Sequence, residues 1–252
     1  MIPRSIEIGP LTFNFYGTII AFAIFCGWYL AKKRAGIFKI PKSIFDDPIL
    51  LVPLALSIVG ARIYHVLDLW SYYAKNPSAI INVAGGGLGI WGAILGMILG
   101  FFIIVKIKKL DFLASLDLAA PSILLAQAIG RFGNYINQEG FGPPTNLPWA
   151  VYIDPQNRPT QYLLYSRFHP TFFYEAVLNL VFFLMLLLVS RSLKKGQTFA
   201  LYLIFYSAAR SIAEIWRIDT WTVDGVKIAY LFSAGAFICG VALFFLRSRN
   251  RA

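Results

Sequence analysis

The chain has 252 residues, of which 58% are hydrophobic and 14% charged, against about 45–50% and about 25% in ordinary soluble domains. That balance excludes soluble, disordered, collagen-like and disulfide-scaffold classes, because no water-soluble core hides so much apolar surface. The net charge of +11 reads as membrane topology and not as nucleic-acid binding, since cytoplasmic loops of membrane proteins collect Lys and Arg.

In chain order, the opening MIPRSIEIGP has no basic region running straight into an apolar one, so no cleavable signal peptide is expected. Seven apolar stretches follow, near 14–31, 48–67, 89–105, 113–131, 171–190, 198–216 and 227–246, each of the roughly 17–25 residues that span a bilayer. Lys32, Lys33, Arg34, Lys39 and Lys42 follow the first stretch, and Lys106, Lys108 and Lys109 the third. Arg191, Lys194 and Lys195 follow the fifth, and Arg247, Arg249 and Arg251 the seventh. The intervening loops hold only Arg4, Lys75, Arg158, Arg167, Arg217 and Lys227. This bias puts the N-terminus outside and the C-terminus in the cytoplasm. The expected architecture is an all-α membrane protein of seven transmembrane helices, a single integral-membrane domain over residues 1–252.

Residues 132–170 are polar and rich in proline (Pro143, Pro144, Pro148, Pro155, Pro159, Pro170), and read as a small extracytoplasmic head between spans four and five. Trp149, Tyr152, Tyr162 and Tyr165 give it aromatic surface for the membrane interface. Cys26 and Cys239 lie in apolar runs and read as small core residues. The chain shows no internal repeat, so an inverted-repeat transporter has no support.

Ionisable residues inside a span are costly unless paired or facing water. Tyr206, Arg210 and Glu214 follow one another at four-residue spacing, on one helix face. By itself this could be a structural Arg–Glu pair. Arg131 at the outer end of the fourth span and Arg62 near the outer end of the second lie in the same layer, and three arginines together suggest an anion site. The densest polar run, Gly130-Arg131-Phe132-Gly133-Asn134-Tyr135-Ile136-Asn137-Gln138-Glu139-Gly140-Phe141-Gly142, leaves the membrane at this level. It has more polar groups than a helix cap needs.

The run Gly85–Gly92 contains a literal G-x-G-x-x-G, but it follows no strand, so it does not read as a dinucleotide loop. Gly92, Gly96 and Gly100 form a small-residue stripe for close helix packing. The Gly85–Gly89 turn, with Gly87 at its centre, could line a headgroup pocket. His65 and His169 are the two histidines, and no metal-ligand spacing or nucleophile elbow is present. No metal and no cofactor is therefore expected. With the assigned topology, Tyr16, Arg62, Trp91, Arg131, His169, Glu175, Arg210 and Glu214 fall in the outer half of the membrane. Guanidinium groups there suit a phosphodiester, which at that depth is a phospholipid headgroup.

These residues resemble the bacterial prolipoprotein diacylglyceryl transferase family. GRFGNYINQEGFG (130–142) is similar to the family's most specific motif, with Tyr135 where Phe is usual. HPTFFYE (169–175), the YSAAR-x-x-x-E block (206–214), NFYG (14–17) and GGGLGIWG (85–92) resemble further family blocks, in order along the whole chain. One departure is Trp91, where many members carry a histidine cast as a base. The resemblance implies transfer of the diacylglyceryl group of phosphatidylglycerol to the lipobox cysteine of a prolipoprotein signal peptide. It implies a multi-pass protein of the bacterial plasma membrane with its site toward the outer leaflet. On this reading Arg131 and Arg210 clamp the phosphate, Glu214 orients Arg210, and Glu139 orients Arg131 or touches the headgroup. Asn134 and Asn137 bond the glycerol or the head, and Tyr16 and Tyr206 shape the pocket. Arg62, Gly87 and Gly142 also join the substrate contacts, and His169 helps deprotonate the thiol. Two other classes use the same arginines: a carrier for an anionic lipid, which would need the site open to both faces in turn, and a lipid-binding scaffold, which would bind without transfer.

Overall fold

The computed structural model describes residues 4–9, 11–83 and 86–249. Gly85 and Arg251, invoked above, lie outside the described residues, as do Pro10 and the first three residues of the N-terminal segment. The chain is mostly helical. All seven apolar stretches form long helices: α1 (Phe15–Arg34), α2 (Leu51–Asp68), α4 (Ile90–Ile107), α5 (Phe112–Asn137), α6 (Thr171–Val189), α7 (Gln197–Trp216) and α8 (Ile228–Arg249); the remaining α-helix is the short α3 (Trp70–Tyr73). Among the described residues, six helical segments are long and apolar enough to cross a membrane: Phe15–Phe38, Pro48–Asp68, Ile90–Ile107, Phe112–Asn137, Thr171–Val189 and Ile228–Arg249. The long helix outside that set is α7, which buries Gln197, Thr198, Ser207 and Glu214 along its inward face. Two-residue and four-residue strands add three antiparallel ribbons: β1 (Ser5–Ile8) with β2 (Leu11–Asn14), β3 (Val151–Tyr152) with β4 (Arg167–Phe168), and β5 (Thr222–Val223) with β6 (Val226–Lys227).

The described chain forms two compact units, one being Lys39–Ser115 and the other drawn from the segments up to Phe38 and from Leu116 onward. In the Lys39–Ser115 unit, α2 and α4 pack along the glycine stripe. A Cβ on Gly92 would lie 2.0 Å from the Gly60 carbonyl oxygen, one on Gly96 2.0 Å from that of Leu56, and one on Gly100 2.4 Å from the Pro53 Cα. Only glycine lets two backbones approach so closely, which is how helices associate where apolar burial gives no advantage.

The larger unit is built differently. Ala120 and Leu124 of α5, Phe183 and Leu186 of α6 and Tyr202 of α7 form a buried cluster. Asp117, 2% exposed on α5, accepts the backbone N–H of Gly196 at 2.5 Å and of Phe199 at 2.9 Å. A carboxylate from a neighbouring helix thus satisfies the orphan donors at the start of α7, where the helix dipole favours negative charge. At the other end of α7, Lys227 Nζ donates to the carbonyls of Glu214 (2.5 Å) and Arg217 (2.7 Å).

Helix α5 continues through Asn137, past the stretch expected at 113–131. It ends at Gln138, whose positive φ of 55° and 6% exposure mark a sharp, buried turn. The Gln138 amide then fastens the following loop. Its Nε2 donates to Asp154 Oδ2 at 2.8 Å, and its Oε1 accepts from Asp154 N at 2.6 Å and Asn157 Nδ2 at 3.0 Å.

Candidate active site

The site residues of the larger unit come from the last two turns of α5, the first turns of α6 and the last two turns of α7. Glu175 sits 2% exposed on α6, a lone acid within an apolar helix. Its Oε1 accepts from Arg131 Nη2 of α5 at 2.5 Å, and its Oε2 from Arg210 Nη1 of α7 at 3.2 Å. Arg210 also pairs through Nη2 with the carboxylate of Glu214, which is fully buried one turn along the same helix. The result is a continuous chain Arg131–Glu175–Arg210–Glu214. The two carboxylates are buried, whereas the Arg131 and Arg210 side chains remain 21% and 14% exposed. The guanidinium groups therefore form the open face of the cluster and the acids its backing. A guanidinium has five N–H donors. The contacts described use two on each arginine, so both keep donors for an anion.

A second chain of contacts runs outward from Arg131. Its Nη1 donates to Asn134 Oδ1 at 3.3 Å. Asn134 Nδ2 donates to Glu139 Oε1 at 3.0 Å, and Asn137 Nδ2 reaches the same oxygen at 3.3 Å. Glu139 thus acts on Arg131 through the Asn134 amide, one turn away along the helix, and not by direct contact. Gly133 makes room on the same helix, because a Cβ there would lie 2.7 Å from the Tyr16 ring. Tyr16 itself opens α1, its N–H accepted by the Asn14 side chain at 2.9 Å.

Beyond α5 the backbone is held tightly against α6 and α7. Gly140, at φ +68°, donates its N–H to Asp219 Oδ2 at 2.6 Å, and its carbonyl accepts from Thr171 Oγ1 at 2.5 Å and Phe172 N at 2.9 Å. Gly142 bonds the His169 carbonyl at 2.8 Å, and a Cβ on it would meet the Trp216 carbonyl oxygen at 2.6 Å. Asp219 in turn holds Arg217 Nε at 2.8 Å. Burial works against the Arg217 charge, but the Asp219 carboxylate outweighs it, with Glu175 and Glu214 adding to the effect, so this guanidinium is held above its usual value. His169 Nδ1 lies 3.0 Å from Tyr174 OH, which also accepts Trp149 Nε1 at 3.0 Å.

The structure therefore brings together Arg131, Asn134, Asn137, Glu139, Arg210 and Glu214. Tyr206 lies one turn from Arg210, stacked on Tyr202 at a ring separation of 6.1 Å. Gly142 and His169 are joined by their backbones, with Gly142 against the Trp216 carbonyl at the end of α7. Arg62 and Gly87 belong to the Lys39–Ser115 unit. There Arg62, 8% exposed, donates to the carbonyls of Ala79 (2.5 Å), Ile80 (2.8 Å), Gly86 (2.8 Å) and Gly87 (2.9 Å). Gly87 has φ +74°, and a Cβ on it would lie 2.6 Å from Arg62 Nη1. Trp91 is the second residue of α4. Sequence reasoning placed Glu175 at the right level without giving it a role. The available signal was its position as the one charged residue in the Thr171–Val189 helix, where an unpaired carboxylate would be prohibitive. Arg217 and Asp219 were also missed, because neither falls in an apolar stretch. Among the described residues, no group of His, Cys, Asp and Glu could hold a metal ion.

Comparison with known proteins identifies the family. The family model for prolipoprotein diacylglyceryl transferase matches residues 3–246. The chain is 43% identical over 251 residues to a phosphatidylglycerol–prolipoprotein diacylglyceryl transferase of Nostoc sp. (strain PCC 7120), covering 95% of this chain and 87% of that one. It is 40% identical to the enzyme of that name from Finegoldia magna, covering 95% and 93%, and 34% identical to that from Bacillus cereus (strain G9842), covering 97% and 92%. With a match across nearly its whole length, the chain belongs to the prolipoprotein diacylglyceryl transferase family.

Proposed function

We propose that the Arg131–Glu175–Arg210–Glu214 chain is the place where this protein carries out the reaction named in its relatives. The enzyme transfers the sn-1,2-diacylglyceryl group of phosphatidylglycerol to the thiol of a prolipoprotein lipobox cysteine. The observation that carries the assignment of the site is the arrangement of two part-exposed guanidinium groups ion-paired to buried carboxylates.

The cysteine sulfur attacks the glycerol carbon that bears the phosphate. A C–S thioether bond forms, the C–O bond breaks with its electron pair going to oxygen, and glycerol phosphate leaves. The leaving phosphate gains negative charge as that bond breaks. Arg131 and Arg210, fixed in advance by Glu175 and Glu214, stabilise the developing charge without reorganisation in a site of low dielectric. Asn134, Asn137 and Glu139 fix the Arg131 side and bind glycerol hydroxyls. Tyr16 and Tyr206 wall the pocket, and Gly142 contributes to the substrate-binding surface. The thiol needs modest activation, since its ordinary pKa of about 8.5 leaves a few per cent as thiolate at neutral pH. His169, steadied by Tyr174, accepts its proton.

In this reading α7 is a seventh span, because its charged residues pair inside the protein and face no lipid. The charge bias of the loops supports an outward N-terminus, a plasma-membrane location and an outer-leaflet site. At 26 residues, α5 is about 39 Å long, against about 30 Å of hydrocarbon, so its Arg131–Asn137 end suits the headgroup layer. Residues 138–170 then form the extracytoplasmic head.

The test is transfer of labelled diacylglyceryl from phosphatidylglycerol to a synthetic lipobox peptide by purified protein. Label on cysteine, its absence from a Cys→Ser peptide, and a loss of orders of magnitude in folded Arg131→Ala and Arg210→Ala support the assignment. Lipid binding without any transfer would overturn it in favour of a carrier or scaffold. Undiminished transfer by both variants would move the site elsewhere.

A further inference from the structure

The three helices that carry the charged layer each place a polar residue one turn further along the same face. Gln127 precedes Arg131 by four residues on α5, Asn179 follows Glu175 by four on α6, and Tyr206 precedes Arg210 by four on α7. Because α6 runs opposite to the other two, all three steps lead the same way, from the ion-paired cluster toward the apolar cluster of Leu124, Phe183, Leu186 and Tyr202. Asn179 is the sharpest member of this layer. It is 0% exposed, and neither its Oδ1 nor its Nδ2 has a hydrogen-bond partner among the described residues. Gln127 donates Nε2 to Tyr202 OH at 3.3 Å while its Oε1 is also unpartnered. A buried amide without partners is destabilising, and replacing Asn179 by leucine would remove that cost. An apolar helix keeps such a group at a price unless something else uses it.

We propose that Asn179, supported by Gln127, binds an ester carbonyl of the diacylglyceryl group. The inference rests on the phosphate-clamp reading of Arg131 and Arg210. A phospholipid presents its groups in a fixed order: phosphate, glycerol, ester carbonyls, acyl chains. Roughly five bonds separate phosphorus from the nearer ester carbonyl carbon, a reach comparable with the 5.4 Å rise of one helical turn. The protein presents the complementary order over the same rise: guanidinium groups, then side-chain amides, then the apolar cluster. An ester has acceptors and no donor, so it takes the Asn179 Nδ2 hydrogen and leaves Oδ1 as an under-used carbonyl-type acceptor, the less costly of the two groups to leave unpaired. A site that bonds a substrate carbonyl discriminates against an analogue lacking it more strongly than an apolar pocket discriminates by size. Asn179 therefore makes the enzyme select diacyl lipids over dialkyl ether lipids.

The experiment uses the full-length enzyme with phosphatidylglycerol in diester form and in diether form. Each competes against a fluorescent phosphatidylglycerol for binding, and transfer to a lipobox peptide is followed in parallel. The wild type binds the diester roughly tenfold better. Asn179→Leu, folded by size exclusion, binds both lipids equally at the diether level, and Asn179→Gln recovers part of the preference. A purely structural Asn179 would shift both lipids together. Equal binding of the two lipids by the wild type overturns the proposal, as does a preference that persists in Asn179→Leu. An effect of Asn179→Leu on peptide KM alone overturns it too and assigns the amide to the peptide backbone. Failure of the wild type to transfer from the diester lipid would instead overturn the transferase assignment on which the proposal rests.

Discussion

The α2–α4 pair and the α5–α6–α7 group solve the same problem in opposite ways. Both hold helices together where apolar burial between helices gives little advantage. The α2–α4 pair does it with glycine, bringing backbones into contact at Gly60, Gly92, Gly96 and Gly100. The other group does it with charge, stitching three helices through Glu175. Their arginines differ accordingly. Arg62 is engaged by four backbone carbonyls of its own unit, so removing it takes a hydrogen bond from each of them. Arg131 and Arg210 are held by carboxylates and keep donors exposed. A guanidinium fixed by acids from behind is ready for an anion in front, whereas one enclosed by carbonyls is a structural clasp.

The largest effect that tests this contrast is on Glu175. Glu175→Gln keeps the shape but removes the charge that holds two guanidinium groups in register. Transfer falls by roughly 10²–10³, the scale seen when a preorganised electrostatic group is lost, and the folded protein is less stable because two part-buried cations lose a partner. Retention of full activity would mean that the ion chain is only a helix fastener.

Gly96→Leu tests the other half. Its side chain would begin 2.0 Å from the Leu56 carbonyl oxygen, so α2 and α4 must separate, at a cost of about 1–3 kcal/mol or more. The expected outcome is a lower yield and thermal midpoint with an unchanged kcat per folded molecule. A fall in kcat at normal stability would tie the glycine seam to chemistry.

Arg62→Ala sharpens the comparison at intermediate scale. It strips partners from the carbonyls of Ala79, Ile80, Gly86 and Gly87, which costs roughly 1–3 kcal/mol of stability. Its thermal midpoint should drop while the lipid KM of the folded enzyme stays within about twofold, well short of the tenfold that a lost 1.4 kcal/mol contact produces. A KM raised more than that would give Arg62 a direct part in lipid binding.

The sequence revealed these two regions unequally. Seven helices were legible because length and apolarity alone define them, and the Gly92–Gly96–Gly100 stripe because its four-residue spacing is the spacing of a helix face. Arg131, Arg210 and Glu214 were legible because charge inside an apolar run is conspicuous. Their partner was harder to see, since Glu175 reaches Arg131 across 44 residues and Arg210 across 35, and no local pattern encodes that pairing. The task of Asp117 was hidden for the same reason: it caps a helix that begins at Gln197. The short ribbons, such as β3 with β4, were missed because a two-residue strand carries no periodicity.

The smallest effect expected lies at the surface of the α2–α4 unit, where Asp47 pairs with Lys108. The hydrogen bond from Lys108 is the main reason the Asp47 carboxyl is held below its usual range, with the Ile49 N–H adding to it. A depressed carboxylate stabilises the fold above its unfolded pKa of about 3.9, and that contribution is lost as pH falls through the lower folded value. Both groups are solvent-exposed, so salt screens the pair and the effect is slight. Asp47→Asn should therefore lower the thermal midpoint marginally at pH 7 and low salt, and not at all at high salt or once the pH has fallen through the lowered folded value of the carboxyl. Asparagine keeps the side-chain cap on Ile49, so a difference that persisted in acid, once the carboxyl is protonated, would show that the role of Asp47 does not lie in its charge.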